Sequence, residues 1–266
     1  MTILEKILSH KREEVRNNKE LYPPKLLEKS LYFPTPCVSL VKYLARTDLV
    51  GIIAEIKRKS PSKGVINQHI AVDELSIGYM QAGASALSIL TDTHFFGGTS
   101  ADLTLARKNN FCPILRKDFI IDEYQVLEAK SIGADVILLI AAALTPKEVQ
   151  DLSKFAKSLG LEVLLEVHSE DELSKNLLPS VDLIGVNNRN LADFSLDLSL
   201  SEKLAPKIPP SYTKISESGI DSAAAILNLK RCGYRGFLIG EAFMRTGSPA
   251  RACGELVSSV LNCSVR

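Results

Sequence analysis

The sequence predicts a (β/α)8 TIM barrel with an extra helical segment at its N-terminus. Past residue 50, short apolar runs alternate with amphipathic helical patterns, and successive runs start roughly 21–34 residues apart, which is the spacing of βα units. The apolar runs are continuous, as in Val136–Ile140, which favours a parallel sheet covered by helices on both faces. Eight such units are enough to close a barrel.

The predicted strands are short apolar runs bounded by polar residues. They are Gly51–Lys57, Ser85–Thr91, Pro113–Lys117, Asp135–Ala141, Glu162–Val167, Leu183–Asn187, Thr213–Glu217 and Gly236–Gly240. A doubly wound open sheet is the alternative, but no GxGxxG motif follows the first strand and no shift in composition separates two domains. We therefore predict one domain over residues 1–266, with residues 1–48 as an N-terminal helical extension.

Helical patterns fill the intervals between the strands. The predicted helices are Val72–Gln81, Ala101–Lys108, Glu123–Ser131, Pro146–Leu159, Glu170–Leu177, Leu198–Leu204, Ser222–Arg231 and Pro249–Leu261. Residues that favour N-caps precede several of them, namely Asp122, Thr145, Ser169, Asp221 and Ser248, and glycines that favour C-caps follow, namely Gly83, Gly133, Gly160 and Gly233. Between Ile3 and Val15, apolar and charged residues are interleaved as in an amphipathic helix.

Composition and charge argue against nucleic acid or a membrane as the partner. The 32 basic and 31 acidic residues leave a formal charge of +1. The longest apolar run, Val136–Leu144, is well short of the ~20 residues that span a bilayer. The N-terminus lacks the uncharged core of a secretory signal, and the five cysteines are scattered without a CxxC pair, which suits reduced thiols. We expect a cytoplasmic protein.

Functional groups collect at the predicted C-terminal ends of the strands, where barrel enzymes carry their active sites. Glu55 and Lys57 both project from the same face of the first strand as Ile53, because strand side chains alternate. Later strand ends carry Arg116-Lys-Asp118, Glu166-Val-His168, Asn187-Asn-Arg189, Ser216-Glu-Ser-Gly219 and Gly240-Glu241. Each alone is compatible with a solvated loop, but their repeated placement favours one shared site.

The residue types favour general acid–base chemistry without a metal or another cofactor. The four histidines, His10, His69, His94 and His168, show no HxH or HExxH spacing, and the cysteines are not at ligand spacing from one another. A serine hydrolase is unsupported, because the sequence contains no GxSxG elbow. We interpret His168 as a residue at the start of a helix.

Two glycine turns indicate a phosphorylated small-molecule substrate. Ser216–Ile220 and Ile239–Phe243 follow the seventh and eighth predicted strands, where many barrels hold a phosphate on backbone N–H groups. Glycine permits a close approach of the backbone to the anion. The alternative is that Gly219 and Gly240 only make tight turns.

Aromatic residues near the predicted mouth suit a planar substrate ring. Phe95 and Phe96 precede a pair of glycines, and Phe119 follows the third strand. The alternative is that these rings pack between the helices and the barrel. That alternative has about equal weight for Phe95 and less weight for Phe96, which is next to the flexible glycines.

Together these motifs resemble those of the indole-3-glycerol phosphate synthase family of tryptophan biosynthesis. They are AEIKRKSPSKG (54–64), LTDTHFFGG (90–98), PILRKDFI (113–120), LLEVH (164–168), GVNNRNL (185–191), SESGI (216–220) and IGEAFMR (239–245). The likeness spans residues about 50–245, and the N-terminal segment resembles the extra helix of that family. It implies conversion of 1-(2-carboxyphenylamino)-1-deoxyribulose 5-phosphate to indole-3-glycerol phosphate with loss of CO2 and water.

The resemblance also implies roles for individual residues. Lys117 is then the general acid that activates the substrate's ketone, and Glu166 is the base for the dehydration. Lys57 holds the anthranilate carboxylate, while Glu55 and Asn187 orient substrate hydroxyls and the catalytic lysine. Ser218 is a further catalytic position, and Arg189 and Glu217 have supporting roles. The residues around the phosphate are Ser60, Gly219, Gly240 and Glu241. Phe96 and Phe119 lie beside the anthranilate ring.

Two lysines at one mouth are expected to lower each other's pKa by repulsion, while Glu55 and Glu166 oppose that effect. Two other functions stay open at this point. One is a different phosphate-binding barrel enzyme, such as a phosphoribosyl isomerase, and the other is a catalytically silent barrel scaffold. The resemblance leaves association with other tryptophan-pathway enzymes open.

Overall fold

Eight parallel strands close into a barrel in the computed structural model, which describes residues 2–190 and 194–264. The strands are Ile52–Ile56, Ala86–Leu90, Ile114–Lys117, Val136–Ile140, Glu162–Val167, Leu183–Asn187, Thr213–Glu217 and Gly236–Ile239. The eighth strand pairs with the first, with Phe237 opposite Ile52. The predicted fold class is confirmed, and each of these eight barrel strands lies within its predicted range. Leu191, the last residue of one quoted motif, lies outside the described residues.

Helices join the strands and cover the barrel. They are Ile3–Leu21, Pro24–Leu27, Leu40–Leu44, Val72–Gln81, Thr93–Phe96, Ser100–Asn109, Glu123–Ile132, Pro146–Ser158, Glu170–Lys175, Ser199–Leu204, Ala223–Arg231, Glu241–Met244 and Pro249–Ser264. The predicted cap at Asp221 is wrong, because the Ser222 side chain accepts the hydrogen bond from the Ala225 N–H. Among the described residues, no helix combines the length and the apolar character needed to cross a membrane.

The core has an inner and an outer part, as the strand pleat requires. The inner part includes Ile53, Leu115, Leu138, Leu164, Leu183, Ile215 and Leu238, all buried within the barrel. The neighbouring residues Ala54 and Ile56 belong to the outer part, which packs against the helices. Since Ile53 points inward, Glu55 lies on the same inner face, two residues closer to the mouth.

The N-terminal extension reaches both ends of the barrel. Leu40 packs into the inner core, and Glu162, at the start of the fifth strand, accepts hydrogen bonds from the Leu40 and Val41 N–H groups at 2.8 and 3.1 Å. The helix Leu40–Leu44 therefore closes the end opposite the active-site face. The longer helix Ile3–Leu21 lies at the mouth instead, where its first turns line a cavity.

Short elements around the mouth were not predicted. Two-residue strands at Lys59–Ser60 and Gly64–Val65 form a small antiparallel hairpin after the first barrel strand. The predicted eighth strand runs one residue too far, because Gly240 begins the short helix Glu241–Met244. Elements of two to four residues are too short for apolar periodicity to reveal.

Candidate active site

A cavity of about 520 Å³ opens at the C-terminal ends of the barrel strands. All residues that the sequence predicted for the site line it: Glu55, Lys57, Ser60, Phe96, Lys117, Phe119, Glu166, Asn187, Arg189, Glu217, Ser218, Gly219, Gly240 and Glu241. They come from the ends of separate strands and from the loops that follow them. The fold thus brings together side chains that are far apart in sequence.

The floor of the cavity is a layer of four charged side chains from alternate strands. Glu55, Lys117, Glu166 and Glu217 stand on the first, third, fifth and seventh strands. Each follows by two residues an apolar side chain of the inner core, namely Ile53, Leu115, Leu164 and Ile215. Alternate strands of a barrel fill its interior in layers of four. The polar floor is therefore the next layer above an apolar one.

Lys117 is held between two carboxylates of this layer. Its Nζ lies 2.8 Å from Glu166 Oε2 and 2.6 Å from Glu217 Oε2. The lysine side chain keeps 13% of its surface exposed, whereas the two carboxylates are nearly fully buried. All three side chains line the cavity, and the lysine is the most exposed of them.

The charge environment stabilises the protonated lysine. Burial by itself would lower the pKa of Lys117, but the negative charges of Glu166, Glu217 and Glu55 outweigh burial and raise this pKa. The repulsion between the lysines and the opposing charge of the glutamates left the net shift open, and the glutamates prevail. Lys57 contributes little repulsion, because its Nζ pairs with Glu55 Oε1 at 2.6 Å.

The two carboxylates on Lys117 differ in their proton affinity. Burial would raise the pKa of Glu166, but the charges of Lys117 and His168 lower it. Burial does raise the pKa of Glu217, and the neighbouring Glu166 adds to this against the effect of Lys117. At neutral pH, Glu166 is therefore the ionised partner, and Glu217 is the one that takes up a proton more readily.

Asn187 fixes the orientation of Glu166. Its Nδ2 donates to Glu166 Oε1 at 3.1 Å, and its Oδ1 accepts from the Arg189 N–H at 3.0 Å. The family resemblance implied that Asn187 orients the lysine, but its contact goes to Glu166, the neighbouring group on the fifth strand. Arg189 extends further along the mouth, where its Nη2 lies 3.1 Å from Glu241 Oε2.

Tight backbone turns after the seventh and eighth strands form one wall of the cavity. Ser218 and Gly219 both have a positive φ, of 67° and 76°, directly after the seventh strand. Gly240 has no room for a side chain, because a Cβ there would lie 2.5 Å from Glu55 Oε1. Glycine at these turns lets the backbone come close to the cavity.

Positive and polar groups stand near these turns. Lys63 Nζ lies 3.6 Å from Glu241 Oε1, and Arg245 also lines the cavity. The Ser60 hydroxyl accepts a hydrogen bond from the Lys63 N–H at 3.2 Å. The hairpin that carries Ser60 therefore faces the glycine turns across the mouth.

An aromatic pair forms another part of the wall. The rings of Phe96 and Phe119 lie 5.9 Å apart between centroids, with an interplanar angle of 35°. Phe95 packs elsewhere, against His94 at 4.6 Å and His10 at 5.8 Å. A planar group in the cavity would contact the Phe96 and Phe119 pair.

Sequence reasoning missed the contact between His168 and Glu166. His168 Nε2 lies 3.4 Å from Glu166 Oε1. Burial would lower the pKa of His168, but the nearby carboxylates of Glu172 and Glu166 raise it. The predicted position before a helix is also observed, since Ser169 caps the next one. The two-residue spacing from Glu166 was the signal for the contact.

The N-terminal helix was also missed as part of the site. Ile3, Leu4 and Ile7 line the cavity. An amphipathic pattern shows that a helix has an apolar face but not what that face covers. In the ranges 2–190 and 194–264, no group of three or more His, Cys, Asp or Glu side chains is arranged to hold a metal ion.

The closed barrel and the charged layer at its mouth define a barrel enzyme equipped for acid–base chemistry. Comparison with known proteins gives the family. A family model described as indole-3-glycerol phosphate synthase matches residues 4–256, so the chain belongs to the indole-3-glycerol phosphate synthase family. The resemblance in the sequence motifs is thereby confirmed, and with it an enzyme of the carboxy-lyase class in tryptophan biosynthesis.

Curated relatives agree with this family over nearly their whole length. The chain is 46% identical to an indole-3-glycerol phosphate synthase of Bacteroides thetaiotaomicron over 258 residues, which cover 97% of this chain and 98% of that protein. It is 43% identical to one from Campylobacter jejuni subsp. doylei over 259 residues, which cover 96% of this chain and 100% of the relative.

Solved structures of lower identity support the fold alone. A crystal structure of 3-hexulose-6-phosphate synthase from Salmonella typhimurium has a TM-score of 0.62 at 13% identity. The matched region covers 80% of this chain and 99% of that chain. A structure titled native KDPGal has a TM-score of 0.56 at 12% identity, and the matched region covers 80% of this chain and 94% of that chain. Both likenesses extend over most of this chain.

Proposed function

We propose that the cavity converts 1-(2-carboxyphenylamino)-1-deoxyribulose 5-phosphate into indole-3-glycerol phosphate, CO2 and water. The observation that carries this proposal is the position of Lys117 between Glu166 and Glu217 on the cavity floor. An aromatic wall and a wall of tight glycine turns flank this cluster. The substrate likewise has an aromatic ring, a central ketone and a phosphate.

Lys117 acts as the general acid in ring closure. The ring carbon that bears the carboxylate attacks the ketone carbon, and negative charge develops on the ketone oxygen. Lys117 is protonated at neutral pH because the surrounding carboxylates raise its pKa. It can give its proton to the developing alkoxide, which is a far stronger base than the ketone.

Lys57 holds the anthranilate carboxylate until CO2 leaves. Its ammonium group lines the cavity next to Glu55, at 2.6 Å from Oε1. When the carbon–carboxylate bond breaks, its electron pair returns to the ring system and neutralises the iminium formed by ring closure. Glu55 keeps Lys57 oriented toward the cavity during this step.

Glu166 is the base in the dehydration. It accepts the proton from the carbon next to the ring nitrogen, while the hydroxyl takes up a proton that solvent supplies and leaves as water. Its pKa is low while Lys117 is charged. Once Lys117 has given up its proton, that compensating charge is absent and Glu166 becomes a stronger base. Asn187 holds the carboxylate in place at 3.1 Å.

The phosphate binds at the glycine turns. Ser60 contributes its hydroxyl, and Gly219, Gly240 and Glu241 contribute chiefly backbone N–H groups. Arg189 supports this end through its ion pair with Glu241 at 3.1 Å. Ser218 adds a hydroxyl between the phosphate end and the catalytic layer.

The reaction itself is the test. Purified protein mixed with the substrate should form indole-3-glycerol phosphate and CO2 in equal amounts. The first product is followed by its indole fluorescence. Retained substrate binding without turnover would favour a silent scaffold, and an isomerised sugar phosphate would favour a different barrel enzyme. The cytoplasmic location, the single domain over residues 1–266 and association with other tryptophan-pathway enzymes stay predictions.

A further inference from the structure

A lysine is fully buried in the N-terminal helix. Ile7, Lys11 and Val15 form the buried stripe of this helix, at a spacing of four residues. An unpaired charge in such a position would be strongly destabilising. Lys11 must therefore have strong partners in the barrel.

Two buried carboxylates from the barrel provide that pairing. Lys11 Nζ lies 2.9 Å from Asp92 Oδ2 and 3.0 Å from Asp118 Oδ1, and all three side chains are fully buried. A third carboxylate, that of Glu14 on the same helix, lies 2.9 Å away. Asp92 Oδ2 receives no well-aligned hydrogen bond within the described part of the chain, so the charge of Lys11 compensates it.

Each of these two barrel carboxylates also accepts a hydrogen bond from the backbone N–H of a phenylalanine in the aromatic wall. Asp92 Oδ1 accepts from the N–H groups of Phe95 and Phe96, at 2.7 and 3.3 Å. Asp118 Oδ1 accepts from the Phe119 N–H at 2.8 Å. The partners of Lys11 are therefore the residues that place the Phe96 and Phe119 rings.

We propose that Lys11 is a positioning residue that sets the aromatic wall of the substrate site from the N-terminal helix. The proposal rests on the assignment of Phe96 and Phe119 to the anthranilate ring. Lys11 draws together Asp92, after the second strand, and Asp118, after the third. Without it, these two carboxylates would repel each other, and the rings would lose their 5.9 Å spacing.

The substitution Lys11→Met tests this role with two ligands. Indole-3-glycerol phosphate carries the aromatic ring and the phosphate, whereas glycerol 3-phosphate lacks the ring. The variant should bind the first about tenfold more weakly, the size expected for loss of aromatic packing. Inhibition by glycerol 3-phosphate should change less than about twofold, and KM should rise more than kcat falls. Equal weakening of both ligands, or no weakening of either, would overturn the proposal.

Lys19→Met is the matched control. Lys19 lies on the same helix and pairs with Asp122 at 2.7 Å, where the side chains are partly exposed. This variant should bind both ligands as the wild type does. If Lys11→Met fails to fold, the double variant Lys11→Met with Asp92→Asn removes the uncompensated charge but keeps a cap oxygen. It should fold and still show the selective loss; equal binding to wild type would contradict the proposal.

Phe119→Leu separates this inference from the proposed function. Phe119 lines the cavity, and its ring packs against Phe96. If Phe119→Leu loses affinity for the product but Lys11→Met does not, the role of Lys11 is refuted and the assignment of the aromatic wall to the substrate ring stands. Unchanged affinity in both variants would instead refute the assignment of the aromatic wall to the substrate ring.

Discussion

Two buried lysines of this molecule have similar partners but different access to solvent. Lys117 pairs with Glu166 and Glu217, and 13% of its side chain is exposed at the cavity. Lys11 pairs with two aspartates and is fully buried. Carboxylates raise the pKa of both ammonium groups against the effect of burial. Access to the cavity, more than charge pairing, therefore separates a proton donor from a positioning group.

The surroundings of the two clusters reinforce this difference. Beyond Lys11, Asp118 also contacts Arg116, whose Nη2 lies 3.1 Å from Asp118 Oδ2 and 2.5 Å from Glu128 Oε2. These additional ion pairs extend the cluster into the layer between barrel and helices. The Lys117 cluster instead stands above the inner core and below the cavity. One network can exchange protons with a ligand, and the other holds loops in place.

Removing the accessible lysine should have the largest effect. In Lys117→Met, kcat should fall about 10²–10⁴-fold, because the general acid is lost. Substrate affinity should change far less, since the phosphate and the ring contact other walls. Steady-state kinetics by indole fluorescence measure both quantities. A kcat close to that of the wild type would remove Lys117 from its assigned role.

Removing the inaccessible lysine should mainly reduce stability. Lys11→Met leaves Asp92 buried without its cation, and loss of one partner of a buried ion pair costs about 3–5 kcal/mol. Urea unfolding followed by circular dichroism gives the free energy of unfolding. The control Lys19→Met should lose about 1 kcal/mol or less, because its ion pair is partly exposed. Equal losses in the two variants would contradict the account.

The substitution Glu166→Gln should reduce kcat by about 10²-fold and change the product profile. Glutamine keeps the shape and the contact with Asn187 but cannot accept a proton. An intermediate that has lost CO2 but retains its hydroxyl should accumulate. Rapid quench with mass spectrometry would detect it, and an unchanged product profile would argue against the dehydration role.

The Lys11 cluster should make stability depend on acid pH. Burial would raise the pKa of Asp118, but Lys11 and Arg116 lower it from 3.8 to about 2. Because the folded-state pKa is depressed, this stabilisation is present above pH 4 and is lost as pH falls toward 2. The stability advantage of wild type over Asp118→Asn should shrink by about 1 kcal/mol between pH 5 and pH 3. Urea unfolding at both pH values measures it; a pH-independent difference would be inconsistent with the shift.

An exposed ion pair should have the smallest effect. Lys147 Nζ lies 2.5 Å from Asp151 Oδ1, but 73% of the lysine side chain is exposed. Lys147→Ala should lower the free energy of unfolding by about 0.5 kcal/mol or less. Thermal unfolding at low and high salt tests this expectation. A loss as large as that of Lys11→Met would show that burial does not determine how much an ion pair contributes to the free energy of unfolding.

The charged floor could be predicted from the sequence because it follows local rules. Strand alternation places a residue two positions after an inward apolar side chain on the same face, as for Glu55 after Ile53. The residues of the floor were therefore found before any distance was known. The direction of the Lys117 pKa shift could not be found in this way, because it depends on the distances to Glu166 and Glu217.

The Lys11 cluster could not be predicted for a related reason. Lys11 meets Asp92 and Asp118 across long stretches of chain, and an amphipathic helix pattern does not say where the helix docks. In the sequence, Lys11 reads as one more charged residue of an exposed helix. Only the docked helix shows that it lies within the buried stripe between Ile7 and Val15.

The most direct test of the account compares the single-turnover rates of Lys117→Met and Lys11→Met at saturating substrate. Saturation removes differences in affinity, so the rate reports the chemical steps. We expect a fall of about 10²–10⁴-fold for Lys117→Met and a fall of less than about tenfold for Lys11→Met. A wild-type rate in Lys117→Met, or equal falls in both variants, would contradict this expectation.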